Sequence, residues 1–201
     1  MVGKLKIMRA VADDLGNKDF VIIARTDGIS AVDAPESERG LKLAVKRALA
    51  YLDTGIPDLI WCEFSTSDRG PLEDFTTEVH KRFPDAKFAF NYSSSFKWYA
   101  DKKPLTFDEL GAMGVKFIFI TLGGQHATSY GFSVLLQDML KLKQHGYMEL
   151  QKKEFGDHGD FPTKSHHFFS GVPYHHLLGD EYDAARLGLQ FVEKLPEEKI
   201  V

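Results

Sequence analysis

The sequence predicts an α/β protein built on a parallel sheet. Three observations predict it: four short apolar runs that are nearly continuous instead of alternating, helix-like segments between them, and a regular interval from one run to the next. The runs are FVIIART (20–26), LIWCEF (59–64), FAFNYS (88–93) and FIFITL (117–122). A strand covered on both faces has no solvent side to make polar, so such runs suit strands sheathed by helices.

In chain order, the helical spacing of LKIMRAVADDLG (5–16) runs straight into the first strand. Good helix formers then fill GLKLAVKRALAYLDTG (40–55), PLEDFTTEVHKRF (71–83) and FDELGAMG (107–114). Strand starts fall 39, 29 and 29 residues apart, close to the roughly 30 residues of one βα unit. A complete eight-unit barrel takes about 250 residues, whereas this chain has four strand runs by residue 122 and none in the 79 that follow. The expected fold is the second half of a (β/α)8 TIM-type barrel, about four βα units over residues 1–125. An open four-stranded α/β sheet is the rival, since spacing alone does not show closure. Residues 126–201 read as a helical C-terminal extension that packs on the barrel or on a neighbouring subunit. It begins as helix over 129–156, loosens into HGDFPTKSHHFFSGVPYHHLLGD (158–180) and returns to helix in EYDAARLGLQFVEKL (181–195).

With 201 residues, 43% hydrophobic and 27% charged, the chain can bury one sizeable core. Its net charge of −4, with no basic block, argues against nucleic acid or an anionic membrane as partner. One cysteine, Cys62, excludes an intrachain disulfide and suits a reducing cytosol. MVGKLKIMRAVADD reaches acidic residues before any secretory apolar core, and no apolar run is long enough to span a bilayer. The expected location is the cytoplasm.

Polar residues gather at the C-terminal ends of the strand runs: Arg25, Thr26 and Asp27 on the first, Glu63 on the second, Asn91, Ser93 and Ser95 on the third, Thr121 on the fourth. Parallel βα proteins build their active sites at that end. A guanidinium, an amide and several hydroxyls suit a small polycarboxylate, with Arg25 able to clamp it in bidentate fashion. The competing reading is that Asn91 and the serines only cap a strand and start a turn; repetition over four strands favours the pocket, with alternation aiming Asn91, Ser93 and Ser95 the same way. Glu63 could be a base, a metal-shell carboxylate or an ion-pair partner of Arg25. Asp27 reads as a structural ion pair or turn cap. Cys62 should face away from Glu63 and pack in the core instead of acting as a nucleophile. The histidine pairs at 166–167 and 175–176, with His158, read as loop or interface residues, because adjacent residues seldom ligate one ion. The glycines at 123–124 complete no nucleotide-binding motif.

IIARTD (22–27), DLIWCE (58–63), FNYSSSFKW (90–98), MGVKFIFITLGGQHA (113–127), GYMELQKKEF (146–155) and TKSHH (163–167), with Gly171 and Tyr174, occur in that order. Together they resemble the second half of the isocitrate lyase family. The resemblance implies Mg²⁺-dependent retro-aldol cleavage of isocitrate to glyoxylate and succinate, in the glyoxylate cycle, by a homo-oligomer whose C-terminal helices exchange between subunits. It implies that Arg25 holds the glyoxylate carboxylate. Asn91, Ser93, Ser95 and Thr121 would hold the succinate part, with Tyr92 and Ser94 in the same binding run. Glu63 would belong to the polar shell around the metal and the reacting hydroxyl.

Three departures matter. The family's lysine-lysine-cysteine-glycine-histidine loop, its magnesium-ligating aspartate and its serine-glycine-tryptophan contact are absent, and Cys62 does not match the catalytic position. Ser94 stands where the family usually has proline and His167 where it often has glutamine, and the segment after Asp27 is short. The expectation is a chain that holds no metal ligand of its own, is inactive alone and self-associates. A non-catalytic carboxylate-binding or assembly module is the alternative. Enzymes that cleave 2-methylisocitrate share the barrel, but the Asn-Tyr-Ser-Ser-Ser-Phe run favours isocitrate.

Overall fold

Helix α1 (Val2–Asp14) buries Leu5 and Ala12 on one stripe and leads into the first strand. The computed structural model describes residues 1–155 and 161–187, in two units, Met1–Gly123 and Gly124–Val201. In the first unit, strands β1 (Ile23–Thr26), β2 (Leu59–Cys62), β3 (Phe88–Asn91) and β4 (Val115–Phe119) form one sheet. They are parallel and follow chain order. Such an order needs a crossover after every strand; α2 (Leu41–Leu52), α3 (Arg69–His80) and α4 (Phe107–Ala112) supply it. The arrangement is that of part of a TIM-type barrel.

Register sorts the side chains. Ala24, Ile60 and Phe88 share one level, and Thr26, Cys62 and Phe90 the next but one. All six are buried, and five of them join Leu5, Ala44, Ala48, Leu72, Phe75, Val79 and Leu110 in the core beneath the helices. Phe75 of α3 meets Phe88 edge-on at 5.8 Å. Alternation sends Arg25, Trp61, Ala89 and Phe117 to the other face. The first unit lays no helix over that face, and Phe117 is 48% exposed. Coverage on both faces, expected from the apolar runs, therefore holds within this unit on one side only.

All four strands are shorter or shifted against expectation; β2 ends at Cys62, two residues early, and the other three differ for local reasons. The Ile22 amide donates to Asp58 Oδ2 at 2.7 Å, so β1 begins after it and not at Phe20. β3 stops at Asn91, because Ser95 N donates to Ser93 Oγ and Phe96 N to Ser93 O, which closes a turn. β4 starts two residues before the apolar run and carries a register shift opposite Phe88 and Ala89; it ends at Phe119, where Gly123 N donates to Ile120 O and turns the chain. Gly28 is fixed by close approach: a Cβ there would lie 2.6 Å from the Ala44 backbone of α2.

In the second unit, the single helix expected over 129–156 is two. α5 (Gly123–Leu142) and α6 (Gln144–Phe155) break at Lys143, whose φ is +56°. Gly146 lets the start of α6 pass the Asp138 and Met139 backbone, 2.5 Å from where a Cβ would sit. The stretch expected to be loose is largely helical, with α7 (His166–Phe169) and α8 (Val172–Leu187). Pro173 falls in the first turn of α8, where a missing N–H costs no helical bond. His166, His167, His175 and His176 are thus helical and not loop residues. His158 and the expected helix beyond 187 lie outside the described residues. Among these, no helix is long and apolar enough to cross a membrane.

The six-residue α4 is too short to stand on propensity alone. A capping box holds it: Glu109 N donates to Thr106 Oγ1, and Thr106 N donates back to Glu109 Oε2 at 2.9 Å. Arg69 at the start of α3 donates to Glu109 Oε1 at 2.6 Å. The Thr106 amide first, then Arg69, hold the Glu109 carboxyl down at about 2, against an ordinary 4.5. A depressed carboxyl stabilises the fold fully above its unfolded pKa and loses that contribution as pH falls through the folded one. Glu109→Gln is therefore expected to lower the unfolding midpoint at pH 7 and to flatten the acid-induced loss between about 4.5 and 2. Thermal unfolding monitored by circular dichroism across that range measures it; an acid limb as steep as in the wild type contradicts it.

Candidate active site

Above the buried rows, each strand end presents a polar side chain to the helix-free face. Thr121 Oγ1, just beyond β4, donates to Asn91 Oδ1 at 2.5 Å. Asn91 Nδ2 at the end of β3 donates to Glu63 Oε1 at 3.3 Å. Glu63 follows β2, and its Oε2 lies 3.8 Å from Arg25 Nη2 on β1. Arg25 in turn grips Asp27, with Nε at 3.0 Å and Nη2 at 2.7 Å from Oδ1. One polar chain thus joins all four strands.

Arg25 is fixed from two directions. Its guanidinium lies 4.1 Å over the Trp61 ring, and that ring is braced edge-on against Phe119, 4.9 Å between centroids. The hydrogen bond to Asp27 raises the Arg25 pKa further, so the group stays charged. Two polar atoms within this assembly are buried without a hydrogen bond: Trp61 Nε1 and Glu63 Oε2. Buried groups of this kind are rare in folded proteins and call for an explanation. Here one donor and one acceptor, on residues two apart that face the same way, make no hydrogen bond within the protein, while Oε2 keeps its ion pair with Arg25.

The other candidate residues lie apart from this chain. Tyr92 stacks on Trp98 at 3.8 Å and donates its hydroxyl to Leu105 O at 3.2 Å. Ser93 is 8% exposed; its Oγ accepts from the Ser95 amide, and its carbonyl accepts from Trp98 Nε1 at 2.8 Å. Ser94 is half-buried and Ser95 exposed in the same turn. The alternation expected to align Asn91, Ser93 and Ser95 ends with the strand at Asn91, so the serines form a turn beside the network. Asp27 is the ion-pair partner read from its spacing. Trp61 was not singled out from sequence, although its place two residues before Glu63 puts it on the same face.

Cys62 points the other way, into the core at 3% exposure, and burial pushes its thiol pKa far up. It stays protonated and out of reach as a nucleophile. Among the described residues, no three His, Cys, Asp or Glu side chains gather to hold a metal ion.

Residues 36–180 match the family model described as the isocitrate lyase family. The chain belongs to that family. It is 35% identical over 191 residues to an isocitrate lyase of Haloferax volcanii, covering 94% of this chain and 52% of the relative. It is 36% identical over 184 residues to an isocitrate lyase of Halalkalibacterium halodurans, covering 79% and 42%. A bifunctional glyoxylate cycle protein of Caenorhabditis elegans is 34% identical over 180 residues, covering 87% of this chain and 18% of that one. The chain spans about half the length of the Haloferax relative and less of the others.

Magnesium has a poor fit to an isocitrate lyase segment composed in this way. A magnesium ion takes one or two carboxylates and keeps waters or substrate oxygens in its remaining positions. Glu63 offers one unbonded oxygen, but Arg25 stands 3.8 Å from it, Asn91 holds the other oxygen, and Asp27 is taken up by Arg25. These residues do not form a magnesium site by themselves.

Asn91 is the central link of the network and Thr121 a terminal one. Asn91→Ala, which strands both Glu63 Oε1 and Thr121, is expected to cost about 1–3 kcal/mol, and Thr121→Val about 1 kcal/mol. Urea denaturation measures both. A larger loss for Thr121→Val would contradict this order of links.

Proposed function

We propose that this chain is the carboxylate-holding half of an isocitrate lyase of the glyoxylate cycle. The observation that carries the reading is the network from Thr121 through Asn91 and Glu63 to Arg25, with Trp61 Nε1 and Glu63 Oε2 left without a hydrogen bond inside it. In this reaction the C2–C3 bond of isocitrate breaks. The C2 hydroxyl loses its proton and becomes the aldehyde of glyoxylate, while the electron pair left on C3 takes up a proton to give succinate. Arg25, held in place by Trp61 and Asp27, binds the glyoxylate carboxylate. Asn91 and Thr121 bind the succinate part, with Ser93, Ser94 and Ser95 reaching it from the turn and Tyr92, stacked on Trp98, holding that binding run in place. Glu63 faces the reacting hydroxyl. Fixed donors of this kind stabilise developing charge without waiting for water to reorganise.

Magnesium, when bound, would supply positive charge at the developing oxyanion, with Glu63 in the polar shell around it and its ligands drawn from residues other than those of this network. Cys62, buried on the opposite face and kept protonated, does not serve as the proton donor. The chain on its own is accordingly inactive. The protein is a cytoplasmic homo-oligomer whose helical extension, 126–201, packs on the barrel or on a neighbouring subunit. α5 supports this, since none of its 20 residues is buried and Leu140 is 79% exposed.

Calorimetry with glyoxylate and with succinate, magnesium present, tests the reading on the purified chain. Saturable binding of glyoxylate is expected to weaken by about tenfold or more in Arg25→Ala, with succinate affected less. Absence of binding of either acid to the wild-type chain overturns the carboxylate reading. Magnesium-dependent turnover of isocitrate by the chain alone overturns the half-site.

A further inference from the structure

The run FNYSSSFKW ends on a residue that the chemistry above leaves without a task, Trp98. The chain has two tryptophans, and the other, Trp61, already backs Arg25. β3 ends at Asn91, and the last backbone bond from this segment to β4 is the Tyr92 amide on Phe119 O at 2.9 Å. Where Ser93, Ser94 and Ser95 lie therefore depends on what holds their turn, and Ser93 is where the turn is caught. Its carbonyl accepts from Trp98 Nε1 at 2.8 Å and from the Phe96 amide at 3.2 Å, which uses both lone pairs. Its Oγ accepts from the Ser95 amide at 3.2 Å. Among the described residues nothing accepts the Ser93 hydroxyl hydrogen, which leaves it to a ligand.

Trp98 is itself pinned. Its ring lies flat on Tyr92, 3.8 Å between centroids and 17° between planes, and meets Phe96 edge-on at 5.8 Å. Tyr92 is held in turn by Phe107 of α4, edge-on at 5.5 Å, and by its hydroxyl bond to Leu105 O. Both stacked rings pack against the core beneath the helices. A ring locked by packing has lost its rotamer freedom before it donates, so the Nε1 bond fixes the Ser93 carbonyl instead of following it.

The geometry points to Trp98 as a positioning residue for the succinate end of the site. The indole fixes the peptide after Ser93, the Ser95 amide fixes Ser93 Oγ, and together they aim the Ser93 hydroxyl while Trp98 touches no ligand. This rests on the reading that the serine turn meets the succinate part. Each end of the site is then braced by its own indole, Trp61 beneath Arg25 and Trp98 beneath Ser93, and a change at one should not carry to the other.

Calorimetry on the full chain with succinate and with glyoxylate, magnesium present, tests this in Trp98→Phe, which keeps an aromatic ring for Tyr92 and removes the donor. The succinate dissociation constant is expected to rise roughly fivefold, and that for glyoxylate to stay within about twofold. In a Ser93→Ala background Trp98→Phe should add nothing further for succinate, because the indole acts through that residue. A tryptophan that merely supports the fold weakens both acids alike, or adds its full effect to Ser93→Ala, and either result overturns the inference. If Trp98→Phe does not fold, ¹⁵N spectra of the wild-type chain carry the test: succinate should move the Trp98 indole signal and glyoxylate that of Trp61, with Trp61→Phe assigning the two. A Trp98 signal that ignores saturating succinate overturns the inference. Absence of succinate binding by the wild-type chain overturns the carboxylate reading and the inference with it. Unchanged succinate affinity in Trp98→Phe, with wild-type binding intact, overturns the inference alone.

Discussion

The register that sets Arg25 beside Trp61 and Thr26 beside Cys62 divides the first unit into two chemistries. Side chains in a strand alternate with a period of two, so one choice of register decides every residue on both faces. A slip by one place would turn Arg25 and Glu63 into the core beneath α2 and α3 and bring Cys62 out among carboxylates. Burial of Ala24, Ile60, Phe88 and Phe90 against those helices opposes that slip. The core thereby holds the strand-end network in place, though it shares no hydrogen bond with it.

That dependence explains what could be read in advance. Strand positions and helix types follow from apolar period, and the polar strand ends follow from where each run stops. Arg25, Glu63, Asn91 and Thr121 were legible for that reason: each is the first strongly polar group on its face. The serines were less so, because their orientation depends on where β3 ends, and that is decided by a turn whose donors are backbone amides. The helix-free face was hidden by its own composition. Leu59, Trp61, Phe117 and Phe119 are as apolar as the core residues, and residue type does not say which element will cover them.

The second unit differs in kind. α5 has apolar residues around its circumference, and none is buried. Polar residues such as Gln125, Ser133, Asp138 and Lys141 are interspersed with them along the helix. Its pattern therefore carries no single stripe from which a packing face could be read, and the break at Lys143 turns on a backbone angle that composition does not reveal.

Charge sets the remaining requirement. Within the network one guanidinium stands against two carboxylates, Asp27 and Glu63, so the cluster is not cationic. A carboxylate ligand approaching Arg25 meets a group already bonded to Asp27 and must share it, with Glu63 repelling at close range. At an effective dielectric constant of about 20, two like charges 4 Å apart oppose each other by about 4 kcal/mol. A ligand with three carboxylates multiplies that term, and neutral donors such as Asn91, Thr121 and the Trp61 N–H offset only part of it. Each further carboxylate on a ligand therefore weakens its hold on this network, so a monocarboxylate is held against less repulsion than a tricarboxylate.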